Sequence, residues 1–215
     1  MRTILKGREP VSLAEYRSVP GARYDDYRDK QALRASLARE QRGLCCYCLS
    51  RLRPQPDAMK IEHWHCQAGY RAEQLEYSNL LGSCMGNEGS AEEDQHCDTK
   101  KAKRDLSRNP ANPAHRVEDV IRFGGDGRIF STEDPVFNTE LSDVLNLNLA
   151  FLRSNRKETL TAFTLGLAAL NKRGKFSTTT LEKWLVDWSG EGHTDELRPF
   201  CQVVVYWLRK KLARS

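Results

Sequence analysis

The 215-residue sequence has no apolar run approaching the roughly 18 residues of a membrane-spanning helix, which argues against a helical membrane protein. Its opening, MRTILKGREP, lacks the apolar stretch of a secretion signal. The expectation is a cytoplasmic protein with no membrane partner. Internal repeats are absent, and neither sign of charge dominates: 34 Lys+Arg stand against 29 Asp+Glu, a formal net charge of +5. That mild excess permits a polyanionic partner without demanding one. Disorder over the whole chain is excluded, because 39% hydrophobic residues are enough for one substantial core or two small ones. Cysteine is what the sequence has in unusual supply, with seven residues. Disulfides do not persist in a reducing compartment, so these thiols need another role.

Six of them, Cys45, Cys46, Cys48, Cys66, Cys84 and Cys97, are clustered, whereas Cys201 lies in the apolar run CQVVVYWL and reads as a small core residue. The Cys45-x2-Cys48 spacing lets two thiolates reach one tetrahedral ion from a tight turn. Cys84 and Cys97, separated by a 12-residue loop, suit a second pair. Together these four predict a structural zinc site closed to water. Cys46 is the alternative to Cys45, but its one-residue spacing to Cys48 reaches a single ion less easily.

Along the chain, Leu33, Leu37 and Ala38 mark a helix that Gly43 stops, delivering the chain to Cys45. Residues 51–60 hold two prolines and predict a loop. Lys60 to His65 is short and β-capable around Ile61, Tyr77 to Cys84 is a second apolar segment, and GNEGSAEEDQ predicts an exposed loop. Asp98 is placed to N-cap a basic helix, DTKKAKRDL. A hairpin is expected over Val120 to Ser131 around Gly124-Gly125-Asp126-Gly127. Leu141 to Lys172 predicts a helix with Gly174 as its stop, followed by a helical pair over Thr180 to Trp188 and Glu196 to Leu212, split by SGEGH. The expected class is α+β, mostly α, in three parts: an N-terminal helical extension, residues 1–44; a metal-built core, 45–108; and a hairpin plus C-terminal helical region, 109–215.

Between the two cysteine pairs lie the more reactive groups, Ile61-Glu62-His63-Trp64-His65 and, 16 residues beyond His63, Asn79 in YSNLLGSC. A carboxylate directly before a histidine at a strand end is a poor choice for a core. Glu62 can hold a divalent cation while the neighbouring imidazole faces an attacking water. His63, with an ordinary pKa near 6.5, is largely neutral at cellular pH and able to take a proton. The Asn79 amide can fix the loop and ring by hydrogen bonding without competing for that proton.

The ordered set CCYC, IEHWH, YSNLLGSC and HCDTKK, over residues 45–101, resembles the HNH endonucleases with a ββα-metal core. More narrowly, ILKGREPVSLAEYR, the helix ending in QRGLCCYC, and the later DGRI and LNLN segments look like the HNH subunit of Septu anti-phage defence systems, including those linked to retrons. The resemblance implies that His63 is the general base for phosphodiester hydrolysis, that Glu62 ligates a catalytic Mg2+ or Mn2+, and that Asn79 is the middle residue of the motif. The third position falls to Asp98, a hard oxygen ligand where the family usually has His or Asn; His96 is the alternative. His65 is a further possible ligand, and Cys66, where the family often has Pro, is incidental. Lys100, Lys101, Lys103 and Arg104 would hold neighbouring phosphates. The implied partners are nucleic acid, most simply DNA, an AAA/ABC-type ATPase docked on the C-terminal helices, and in some systems a retron complex.

The ordinary readings differ. A four-cysteine site also serves non-catalytic zinc-stabilised binding modules, KKAKR alone is most simply a solvated helix face, and Trp64, Tyr77, Trp184, Trp188, Trp207 and Tyr206 are most simply packing residues.

Overall fold

Two helices open the chain, α1 (Val11–Arg17) and α2 (Lys30–Glu40), the second capped by the Asp29 carboxylate accepting from the Ala32 N–H. In this computed structural model, which describes residues 1–170, 176–193 and 195–214, α2 ends where Arg42 and Gly43 turn through positive φ, and the chain drops into the first cysteine turn. Strands β1 (Lys60–His63) and β2 (Leu80–Ser83) then pair antiparallel, Glu62 opposite Leu81 and His63 opposite Leu80. Helix α3 (Cys97–Lys101) follows the exposed acidic loop. A short helix α4 (Val117–Val120) leads into a second antiparallel pair, β3 (Arg122–Phe123) with β4 (Ile129–Phe130). The rest is helical: α5 (Pro135–Thr139), a π-helical turn (Glu140–Val144), α6 (Ala150–Leu170), α7 (Thr178–Ser189) and α8 (Cys201–Leu212). The molecule is thus mostly helical with two small antiparallel sheets.

One apolar core takes residues from every part of the chain, including Met1, Leu33, Tyr47, Leu80, Phe137, Leu152 and Phe200. A second cluster joins α7 and α8 through Leu181, Val203, Val204 and Leu208. No helix among the described residues is long and apolar enough to cross a membrane.

Four expectations need correction. The basic helix is not DTKKAKRDL: it ends at Lys101, because Ala102 takes φ 51° and turns the chain so that Leu106 enters the core. His96, not Asp98, stands at the N-cap position, with Asp98 inside the first turn. The helix predicted from Leu141 is interrupted, since the π-turn and Asn146, at φ 49°, break it before α6 begins at Ala150. In that LNLN stretch Leu145 and Leu147 are buried, while the asparagines tie down neighbouring backbone: Asn146 donates to the carbonyls of Glu93 and Gln95, and Asn148 accepts from the Ile129 N–H. Lys172 and Gly174 lie outside the described residues. The last helix starts at Cys201 rather than Glu196; the preceding segment instead docks on the first cysteine turn, with Leu197 N–H donating to Arg42 and Phe200 N–H to Leu49.

Candidate metal centre and adjoining pocket

The first cysteine turn is a tight loop: Leu44 bridges Arg51, Cys45 N–H donates to the Ser50 carbonyl, and Leu49 takes φ 66°. It is fastened to β2 at Gly82. Cys46 N–H donates to the Gly82 carbonyl, and the buried Gln41 amide receives the Gly82 N–H at 2.6 Å while donating to the carbonyls of Gly82 and Leu44 at 2.8 Å each. Cys84 leaves the end of β2 and Cys97 begins α3. The loop between them must close tightly at Gly86, where φ is +58° and a Cβ would stand 2.2 Å from the His96 carbonyl oxygen; only glycine fits.

These elements bring the sulfurs of Cys45, Cys48, Cys84 and Cys97 within 4.8 Å of one another. Cys45 and Cys97 are 3.9 Å apart, and Cys48 and Cys84 are 3.7 Å apart. A Zn–S bond of about 2.3 Å puts tetrahedral sulfurs about 3.8 Å apart, so the four can hold a metal ion such as zinc. Burial opposes any thiolate here, yet S–H donation from Cys46, Cys48, Cys84 and Cys97 holds the Cys45 thiol well below its ordinary 9.0, while burial drives Cys97 well above it. Four thiolates cannot coexist in this place without a cation to share. Outer donors are in place: Cys84 N–H lies 3.4 Å from the Cys45 sulfur, Ser50 N–H 3.5 Å from Cys48, and His96 Nδ1 3.1 Å from Cys97. The buried Arg156, which donates to the carbonyls of Gly127 and Leu147, lies near enough for its charge to feel Cys48 and Cys97.

Beside this cluster, β1 ends in an open pocket of about 250 Å3 lined in part by Glu62, His63, Cys66, Asp98 and Lys103. Glu62 is 2% exposed. Its Oε1 accepts from the Tyr47 hydroxyl at 2.6 Å and from Lys101 Nζ at 2.9 Å, and Asp98 lines the same pocket, near enough for its charge to be felt. Burial, then the Asp98 charge, pushes Glu62 well above its ordinary 4.5 despite Lys101. A buried carboxyl facing a second one favours a shared proton or a shared cation.

His63 is nearly buried, with Tyr24 edge-on at 4.4 Å between ring centroids. Burial pulls its pKa below 6.5, so the ring is neutral at pH 7. Nε2 lies 3.0 Å from the Gln74 carbonyl. A carbonyl only accepts, so Nε2 carries the proton and Nδ1 the lone pair. Asn79 sits behind this strand end rather than in the pocket. Its Oδ1 accepts from the His65 N–H at 2.8 Å, and its Nδ2 donates to the carbonyls of His65 and Glu73. It fixes the loop, while Gln74 fixes the ring.

The remaining predicted residues disperse. Asp98, not His96, stands beside Glu62; His96 is buried against the Cys97 sulfur and the Phe151 ring. His65 is committed elsewhere, with Nδ1 2.7 Å from Glu73 and its ring stacked on Tyr70. Among the described residues, only the four thiols bring three or more metal-ligating side chains together. Of the basic run, Lys101 is fully buried on Glu62, Lys100 is paired with Glu92, and Arg104 is spent on the carbonyls of Asp143 and Val144. Of these four basic residues, Lys103 lines the pocket. Tyr47, Gln74, Gln41 and the burial of Lys101 against Glu62 were missed from sequence. Only Tyr47 carried a signal, a large polar residue inside CCYC. No protein-family model matches this chain, and no curated protein is significantly similar to it.

Proposed function

We propose that the protein is a metal-dependent HNH endonuclease with a zinc-stabilised ββα-metal core, the nuclease subunit of a Septu-like anti-phage defence complex. The carrying observation is the convergence of Glu62, His63 and Asp98 on one open pocket beside the four-thiol cluster. The paired carboxyls of Glu62 and Asp98 suit a hard cation. Mg2+ or Mn2+ held there would supply charge stabilisation for the phosphate and the leaving 3' oxygen. His63, neutral and with Nε2 tied to Gln74, offers Nδ1 as the acceptor for a proton from the attacking water. Tyr47 and Asn79 hold the carboxylate and the loop in place. Lys103 is the pocket cation available to a neighbouring phosphate.

A plasmid-cutting assay with Mg2+, with and without the adjoining ATPase, tests this. Cutting is expected, stopped by EDTA and absent from His63→Ala. Retained cutting by that variant would refute the assignment. The second reading, a zinc module without catalysis, is favoured by one observation: among the described residues, the thiols are the only group of three or more metal-ligating side chains close enough to share one ion. It predicts nucleic-acid or protein affinity with no turnover in any divalent metal.

We place the ATPase on the C-terminal helices, where Leu165 and Leu170 of α6 are 65% and 75% exposed. Removing the whole C-terminal half would be a poor test, because Leu145, Leu197 and Phe200 brace the cysteine turns. Leu165→Asp with Leu170→Asp should instead abolish co-purification with the ATPase while zinc content is kept; undiminished co-purification would move the interface elsewhere.

A further inference from the structure

Resting on the nuclease reading above, we infer that Lys101 is a positioning residue that locks the Glu62 carboxylate and the His63 imidazole into one fixed arrangement. Its side chain is 0% exposed. A long cation wholly withdrawn from water must be satisfied internally, and Nζ reaches Glu62 Oε1 at 2.9 Å and the His63 carbonyl at 3.1 Å. Glu62 and His63 are neighbours on β1, so their side chains leave opposite sides of the strand. One ammonium bonded to the side chain of the first and the backbone of the second couples the two where the strand ends. Tyr47 supplies the other donor to the same oxygen, which fixes the roll of the carboxylate.

The lysine is well anchored for this work. Within five residues α3 carries Cys97 in the four-thiol cluster, Asp98 against Glu62, and Lys101 beneath both. Rigidity conferred by the thiol cluster therefore passes through one helical turn to the pocket. Because Lys101 is buried, it cannot touch substrate from this position. Losing it should alter the rate at bound substrate and leave substrate affinity alone, the reverse of what a phosphate contact would do.

Lys101→Met and Lys101→Arg, made in the full chain with any partner the wild type needs, provide the test. In Lys101→Met, zinc content should be kept, kcat should fall about 10- to 100-fold as for other outer-shell losses, and KM for DNA should stay within about twofold. NMR of the zinc-loaded protein without Mg2+ or Mn2+ should show faster solvent exchange of the His63 Nε2 proton. Lys101→Arg, which restores a donor fork and the charge, should recover part of both. A raised KM with unchanged kcat, wild-type kcat with wild-type exchange, or loss of zinc and cooperative melting in both variants would each overturn the inference. Wild-type protein that cuts no nucleic acid under any of these conditions refutes the nuclease reading instead, and the exchange measurement still decides the role of Lys101.

Discussion

The segment from Gln41 to Lys101 and the helical layer of α6, α7 and α8 are held by different forces. The first has two four-residue strands and one five-residue helix, and beyond the core residues it supplies, such as Tyr47, Leu52 and Leu80, it is fixed by point contacts: four sulfurs, the Gln41 clamp on Gly82, the Asn79 tie and the Glu62–Lys101 pair. The second is built on periodic apolar faces, with the Phe163 ring meeting Trp184, Trp188 and Trp207 edge-on at 5.3–6.2 Å between centroids. Short elements cannot bury enough surface to order themselves. A region that must hold polar side chains at fixed positions beside an open pocket therefore uses directional bonds, and a layer with no such duty uses area.

The sharpest break in this comparison is removal of the metal that the four thiols can hold. Structural zinc contributes about 10 kcal/mol or more where it has been isolated in small modules. Chelation, or Cys48→Ser, should speed hydrogen exchange at the amides of Cys46, Leu52 and Trp64, and leave the interior amides of α8 protected. Equal protection in both regions after chelation would mean that the cysteine turns are carried by packing.

Next in size is His63→Ala, which should lower cutting by about 10²- to 10⁴-fold if His63 is the base, with zinc content and melting near those of wild type. This separates chemistry from architecture inside the point-contact region. On the other side, Phe163→Ala should cost about 3 kcal/mol by opening a void among three tryptophans. Melting should fall while the metal content of the four-thiol cluster stays unchanged. Loss of zinc in that variant would show the two regions to be one cooperative unit.

The same division decides what could be read from the sequence. Cysteine spacing, the Glu62-His63 pair and the apolar periodicity of α2 and α8 were legible because each is a local pattern with a local cause. Helix ends set by tertiary demands were not: Ala102 turns left-handed so that Leu106 can enter the core, and Asn146 does so while its amide clasps the carbonyls of Glu93 and Gln95. Partner choice was equally hidden. KKAKR reads as one basic run, yet Lys101 is buried on a carboxylate, Lys100 lies on Glu92, Arg104 caps carbonyls, and Lys103 faces the pocket. Charge is a property of sequence, but availability is set by the surrounding fold. The C-terminal half likewise showed no chemistry in sequence, although its Leu197 and Phe200 backbone brace the first cysteine turn.

The smallest test lies outside both regions, at α5. The Asp134 carboxylate accepts the Phe137 N–H at 2.9 Å as the helix cap and receives Arg108 at 2.7 Å. Asp134→Ala should cost about 1 kcal/mol, the usual loss for a cap. The Phe137 N–H, then Arg108, holds this carboxyl below its ordinary 3.8. With the folded pKa depressed, the contribution is fully present above pH 3.8 and is lost as pH falls through the lower folded value. Wild type and variant should therefore differ in melting at neutral pH and converge in acid. A gap that survives at pH 2 would assign the effect to packing around Phe137 and place α5 with the apolar region rather than with the point contacts.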